Sequence, residues 1–300
     1  MPERTSHHGV VVGADGSPSS RVAVRWAARE AAMRHVPLTV VHVAASAPVA
    51  ASTLIWPAGR IPDEVREIQE NEARRVVGEA IKVVEDGAAG RDLPELNSEL
   101  LFGRAVPTLV DLSKQAHMVV VGCRGRTGQH RRLLGPVCTG LIHHAHCPVA
   151  VIHDGVPSSL HSAPLPVLLG IDGSRASELA TAIAFDEASW RGVDLVALHV
   201  CRDADMSSAL GREWAALQSA TDKAVADELT GWQGRYPEVA VHLVVELKGP
   251  ARHLIEQAER AQLVVVGSRG RGGFAGTGLG SVSTAVAQGA RVPVIVARPR

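Results

Sequence analysis

Residues 261–286 read AQLVVVGSRGRGGFAGTGLGSVSTAV. The stretch opens on a short apolar, β-branched run, Leu263 to Val266. It breaks into a loop with glycines at 267, 270, 272, 273, 276, 278 and 280, and turns helical from Ser281 onward. A buried strand that feeds a glycine loop and then a helix N-terminus is a design for holding an anion. Glycines let the backbone approach a ligand closely, and the first helical N–H groups have no intrahelical acceptor and carry the positive end of the helix dipole. Arg269 and Arg271 add cationic side chains, so a phosphate group is the expected occupant.

The same stretch occurs earlier, as AHMVVVGCRGRTGQHRRLLGPVCT over residues 116–139. In both copies a Gly-x-x-Gly is followed by nine residues and a third glycine: Gly122, Gly125, Gly135 and Gly267, Gly270, Gly280. Upstream, Val10 to Gly13 reads as a fully buried parallel strand ending at Asp15, because its hydrophobicity is continuous rather than alternating. Ser17 and Pro18 supply a helix cap and a first-turn proline, and Leu38 to Val43 forms a second strand. Short one-directional connections of this kind imply βαβ units and a parallel sheet. Helices are expected from Asp63 to about Glu85, from Pro107 to Ala116 and from Pro136 to His144, and strands at 96–101, 117–121 and 148–153. Asp172 and Val200 repeat Asp15 and Val43 at one constant offset, whereas Gly267, Gly280 and Pro293 repeat Gly122, Gly135 and Pro148 at an offset twelve residues shorter. The second copy is therefore leaner, with the missing residues expected in the loop and helix after its second strand. The expected fold is α/β: two doubly wound, Rossmann-like or flavodoxin-like domains at 1–154 and 166–300, each with a five-stranded parallel sheet, joined by a Pro- and Ser-rich linker at 155–165.

Gly-x2-Gly-x9-Gly after a fourth strand, with an Asp after the first, resembles the ATP-binding signature of the universal stress protein family, in its tandem two-domain form. The resemblance spans nearly the whole chain. It implies that Asp15 and Asp172, with the backbone at Gly13 and Gly170, meet the adenosine part of ATP, and that the strand ends at Val43 and Val200 pair with adenine through backbone groups. Gly122, Gly125, Gly128 and Gly135, with Val137, and Gly267, Gly270, Gly273 and Gly280, with Val282, would bring amides to the phosphates, and Arg126, Arg132 and Arg271 would stand nearby as cations. Ser281 and Ser283 would offer hydroxyls to phosphate or to a bound Mg²⁺, with no side-chain cage for the metal itself. Taken alone, an Asp in this place is an Asx turn after a strand; its recurrence beside the glycine loop favours the ligand role. The first domain departs from the pattern in one place, where Pro136 stands for Ser281. Proline removes one N–H and one hydroxyl from the cradle, so the second domain is expected to bind nucleotide more tightly.

Other chemistries fit less well. A Walker A loop needs a Gly-Lys-[Ser/Thr] end, and the lysines at 82, 114, 223 and 248 fall in neither loop. Gly270 to Ala275 matches a dinucleotide fingerprint but follows the fourth strand of its domain rather than the first. His143, His144 and His146 lack a carboxylate or cysteine to complete a metal site, and Trp26, Trp190, Trp214 and Trp232 read as core or interface. Cys123, Cys138, Cys147 and Cys201 show no zinc spacing and read as free thiols of a reducing cytoplasm. Acidic and basic residues number 31 each, which speaks against a nucleic-acid or membrane-surface partner, and no run reaches the length of a membrane span. The loops offer amides, arginines and hydroxyls but no evident base and no lysine, so nucleotide binding without turnover is expected rather than an enzyme. The resemblance to the family implies that such binding makes the chain a nucleotide-dependent regulator of a stress, hypoxia or dormancy response. A slow ATP hydrolase and a nucleotide-independent scaffold are the alternatives. By the same resemblance the fifth strands pack together inside the chain, the chain forms a homodimer, and a regulatory protein partner reads its state.

Overall fold

The computed structural model describes residues 8–45, 63–88, 94–125, 134–153, 164–201, 223, 225–270 and 280–299. The first half runs β1 (Val10–Gly13), α1 (Pro18–Arg34), β2 (Leu38–Ala44), α2 (Asp63–Ala88), β3 (Leu96–Phe102), α3 (Ala105–Leu112), β4 (Met118–Gly122), α4 (Pro136–His144) and β5 (Val149–Ile152). The second repeats it with β6 (Val167–Ile171), α5 (Arg175–Arg191), β7 (Leu195–Cys201), a helix α6 at 225–233, β8 (Val241–Leu247), α7 (Pro250–Ala258), β9 (Leu263–Gly267), α8 (Ser281–Gly289) and β10 (Val294–Ala297). Within each half all strands are parallel, and each half winds outward in both directions from a central pair, β1 with β4 and β6 with β9.

The halves merge into one ten-stranded sheet of order β3-β2-β1-β4-β5-β10-β9-β6-β7-β8. The expected packing of the two fifth strands takes the form of direct antiparallel pairing, Val149 opposite Val296 and Val151 opposite Val294. Both strands are buried along their whole length, and an unpaired edge there would expose a row of backbone groups. Continuous apolar strands are needed because both faces are covered. Val10, Val12, Leu38 and Val40 face α1 and α2, while Val11, Val41 and Val119 face Leu109 of α3 and Leu141 and Ile142 of α4.

Several boundaries differ from the sequence expectation. Helix α3 begins at Ala105, two residues before Pro107, because a proline in the first turn forfeits only an N–H that lacks an intrahelical acceptor anyway, and it ends at Leu112. Helix α2 continues to Ala88. Helix α1 closes on His35 in the left-handed conformation (φ 53°), where the equivalent residue closing α5 is Gly192 (φ 61°). From the end of α6 onward the second half keeps the shorter offset, so the missing residues fall between β7 and that point; residues 202–222 lie outside the described residues. Across the junction, Glu30 and Arg34 of α1 meet Glu187 and Arg191 of α5 in a buried cluster of four ionisable side chains.

Candidate functional site

Each half builds the same turn after its first strand. In the first, the Asp15 carboxylate accepts from the Ser17 amide at 3.0 Å, and Ser17 caps α1 by accepting from the Ser20 amide at 3.1 Å. In the second, Asp172 accepts from Ser174 at 3.0 Å and Ser174 from the Ser177 amide at 3.2 Å. The Asx turn is therefore real, but it uses only Oδ1. The other oxygen of Asp15 faces the glycine loop, 2.9 Å from where a side chain on Gly125 would begin. Hydroxyl contacts fasten turn and loop together, Ser17 to the Arg124 carbonyl at 3.4 Å and Ser174 to the Arg269 carbonyl at 3.3 Å.

The second strand supplies the opposite wall. β1 ends with Gly13 opposite Val41, so β2 runs on past it and Val43 lies where no strand covers its β1 side; Val200 stands likewise beyond His199, the partner of Ile171. Two histidines that the motif does not contain hold this corner. His42 Nδ1 donates to the Ala14 carbonyl at 2.6 Å and His199 Nδ1 to the Ile171 carbonyl at 2.9 Å, each fixing the peptide that leads into the aspartate. Their recurrence at the spacing of the two aspartates was the available signal.

The signature glycines divide by role. Gly122 and Gly267 are required by close packing: an added Cβ would lie 2.7 Å from the backbone of Ser19 and 2.8 Å from that of Ala176. Gly13 and Gly170 likewise face apolar neighbours, Val121 and Leu109 in one half and Val266 and Leu254 in the other. Gly135 and Gly280 correct the expectation, because their amides are closed inside the loop, onto the carbonyls of Cys123 at 2.8 Å and Ser268 at 2.9 Å. They hold the helix N-terminus against the strand end and leave the following residues to present N–H groups. Those are Ser281, Val282 and Ser283 on α8, since Thr284 already bonds to the Gly280 carbonyl; on α4 they are Val137 and Cys138, because Pro136 has none. Ser283 also departs from its expected role: it is buried and its hydroxyl donates to the Gly267 carbonyl at 2.5 Å. Its counterpart Cys138 is a buried free thiol whose pKa burial pushes well up, so it stays uncharged beneath the site. Arg126, Gly128 and Arg132, with Arg271 and Gly273, lie outside the described residues, as does Trp214.

This arrangement suits an anion bound at the helix N-terminus of each half, with a polar group held between the aspartate and the end of the second strand. The residues present fit a nucleotide: a cradle at Gly125 that a side chain would fill, a carboxylate facing it, and helix amides without an intrahelical acceptor. Among the described residues no group of three histidine, cysteine, aspartate or glutamate side chains could hold a metal ion, and no helix is long and apolar enough to cross a membrane. Cys123, Cys138 and Cys147 are buried thiols outside any disulfide.

The profile of the universal stress protein family matches residues 7–153 and again 165–298. The chain belongs to that family and carries two of its domains. It is 52% identical over 298 residues to universal stress protein Rv2623 of Mycobacterium tuberculosis, covering 99% of each chain. It is 49% identical over 300 residues to a universal stress protein of Mycolicibacterium smegmatis, covering 100% of each. Among solved structures, a universal stress protein from Archaeoglobus fulgidus superposes with a TM-score of 0.69 at 22% identity, covering 97% of this chain and 98% of its own, a likeness of fold.

Proposed function

We propose that the protein is a nucleotide-binding member of its family, holding ATP with Mg²⁺ in each half and acting as a regulator in a stress, hypoxia or dormancy response. The observation that carries this reading is the meeting of Asp15 with Gly125, at the start of the glycine segment that leads to a helix whose first amides have no intrahelical acceptor. The carboxylate suits a sugar hydroxyl, the helix N-terminus suits phosphate, and the end of the second strand at Val43, past its pairing with β1, suits the adenine edge. Ser281 is the hydroxyl best placed by sequence to reach a metal bridging the phosphates. In this reading Asp15 and Asp172 are taken up by the turn through one oxygen and by the sugar through the other, which leaves neither as the base for water, and binding without efficient turnover is the favoured activity. Homodimerisation, a cytoplasmic site of action and a partner protein that reads the occupied state complete the proposal.

Mass spectrometry of the protein as purified, followed by calorimetric titration with Mg-ATP, tests it. Two bound nucleotides per chain, lost stepwise on Asp15→Ala and Asp172→Ala, are expected. A folded chain that takes up no nucleotide at millimolar ATP would overturn the reading, and phosphate release at ordinary enzymatic rates would replace the regulator with a hydrolase.

A further inference from the structure

Beyond the two sites themselves, the structure contains a connection between them. On the second half, the Gly280 amide at the start of α8 donates to the Ser268 carbonyl, and the Ser268 amide donates to the Ala297 carbonyl, both at 2.9 Å. The next residue, Arg298, reaches into the first half, where its Nε and Nη1 donate to the carbonyls of Ala145 at 2.7 Å and Ile142 at 2.6 Å. Those carbonyls close the C-terminus of α4, the helix whose N-terminus opens the first site.

The first half returns the arrangement. The Gly135 amide donates to the Cys123 carbonyl and the Cys123 amide to the Ile152 carbonyl, both at 2.8 Å. The next residue, His153, donates from Nε2 at 3.1 Å to the carbonyl of Ala287, in the last turn of α8. Each glycine loop is thus tied, through two backbone hydrogen bonds and one side chain, to the far end of the other site's helix.

We infer that the two anion sites are positively coupled through these crossed ties, each bound anion favouring the binding of the other. The inference rests on the nucleotide reading above only for the choice of ligand. A cation at a helix C-terminus and an anion at its N-terminus complement the same dipole, so an Arg298 held firmly on α4 favours an anion at Val137. Arg298 in turn sits beside the second site. Burial first, and the positive charge of Arg269 second, hold its pKa below the ordinary value, so an anion that offsets Arg269 improves the lodging of Arg298. Linkage makes the effect reciprocal.

Two measurements on the full chain test the coupling. In ligand-free protein, hydrogen exchange is followed at the Gly135 amide, which lies at the opposite end of α4 from Arg298. Arg298→Met is expected to speed its exchange several-fold, with α5 amides unchanged, and Arg298→Lys to act less. Loosening confined to residues 141–145 would be local fraying and would overturn the inference. In the second measurement, single-site constants for Mg-ATP from Asp15→Ala and Asp172→Ala are compared with the two-site isotherm of the intact chain. An interaction factor of about fivefold is expected, the low end of typical allosteric couplings, falling to one in Arg298→Met. A factor that is one in the native chain, or that survives in Arg298→Met, also overturns it. If neither half takes ATP while Gly135 still loosens in Arg298→Met, the ties stand and the nucleotide reading falls.

Discussion

Arg34 and Arg191, at equivalent positions of α1 and α5, exchange partners across the junction of the two halves. Arg34 binds Glu30 of its own helix at 2.8 Å and also Glu187; Arg191 binds Glu187 at 2.8 Å and also Glu30 at 2.7 Å. Each guanidinium lies over the other half's tryptophan, Arg34 at 4.6 Å from the ring centre of Trp190 and Arg191 at 5.9 Å from that of Trp26. Both glutamates are fully buried. Such a cluster adds little net stability over an apolar one, but removing one member strands buried charge. Arg191→Ala is therefore expected to destabilise the chain by about 3–5 kcal/mol in urea unfolding. Replacing all four residues by leucine or methionine should recover most of that loss.

The same cluster carries a proton. Burial first, and then the adjacent Glu187 carboxylate, push Glu30 up to about 8 from an ordinary 4.5. At Glu187 burial is again the largest influence, but Arg191, a hydrogen bond from Glu30 and Arg34 together outweigh it and lower the pKa. A protonated Glu30 donating to an ionised Glu187 satisfies both directions. Because the folded pKa of Glu30 lies above the unfolded one, its contribution is complete below about pH 4.5 and is lost as pH rises to about 8. Glu187 acts in the opposite sense, only at the acid end. Glu30→Gln imitates the protonated form and should be more stable than the native chain at pH 9, with the difference shrinking toward pH 5. Urea midpoints at pH 5, 7 and 9 check this, and parallel pH profiles for the two proteins would show that Glu30 carries no such proton.

The repeated signature contains glycines of two kinds, and alanine separates them. At Gly122 a Cβ meets the fixed backbone of Ser19, so Gly122→Ala should cost about 1–3 kcal/mol through the forced separation of α1 from β4. At Gly125, among the described residues, it meets only the Asp15 carboxylate, a side-chain end that can swing aside. Gly125→Ala should leave the unfolding midpoint nearly unchanged and weaken nucleotide binding about tenfold. Thermal melts and calorimetric titration of the two variants suffice. The reverse pattern would mean that Gly122 faces the ligand.

Element order, the parallel halves and the convergence of Asp15 and the glycine loop on one sheet edge were legible because the sequence pattern that carries each appears twice. The division of labour among the glycines was not, since a glycine in a motif does not say which way its missing side chain would point. Nor was the charged cluster: Glu30 and Arg34 look like ordinary polar residues of a helix until β5 pairs with β10 and brings Glu187 and Arg191 against them. Arg298 escaped notice for the same reason, as its acceptors Ile142 and Ala145 belong to the other half.

The end of α1 offers a direct comparison between the copies. His35 holds a left-handed conformation that Gly192 adopts at the end of α5. Both close their helices in the same way, His35 donating its amide to the carbonyls of Ala31 and Ala32. A non-glycine residue there is strained by about 1 kcal/mol. His35 is exposed, so little packing is at stake. His35→Gly should raise stability by up to about 1 kcal/mol, read as a higher urea midpoint, and a lower midpoint would mean that the imidazole makes a contact worth more than the strain.

The difference between the two sites can be reversed at one position. Three hydroxyl-bearing residues around the start of α8, Ser268, Ser281 and Ser283, stand where the first half has Cys123, Pro136 and Cys138. Ser283 and Cys138 are turned inward and buried, and Ser268 and Cys123 are buried too, so neither of those exchanges alters what a ligand meets. Pro136 is different, because it stands at the first helical position, where Ser281 offers both an amide and a hydroxyl. Pro136→Ser restores both without disturbing the Gly135 amide, which is already closed onto Cys123. A restored charge-assisted contact is worth about 1.5–3 kcal/mol, offset in part by the flexibility that proline had removed. A tightening of the first site by about tenfold is therefore expected, with Ser281→Pro weakening the second by a similar factor. Calorimetry on each variant in a background with the other site disabled by Asp172→Ala or Asp15→Ala isolates the effect. Equal affinities of the two sites in the native chain would remove the premise.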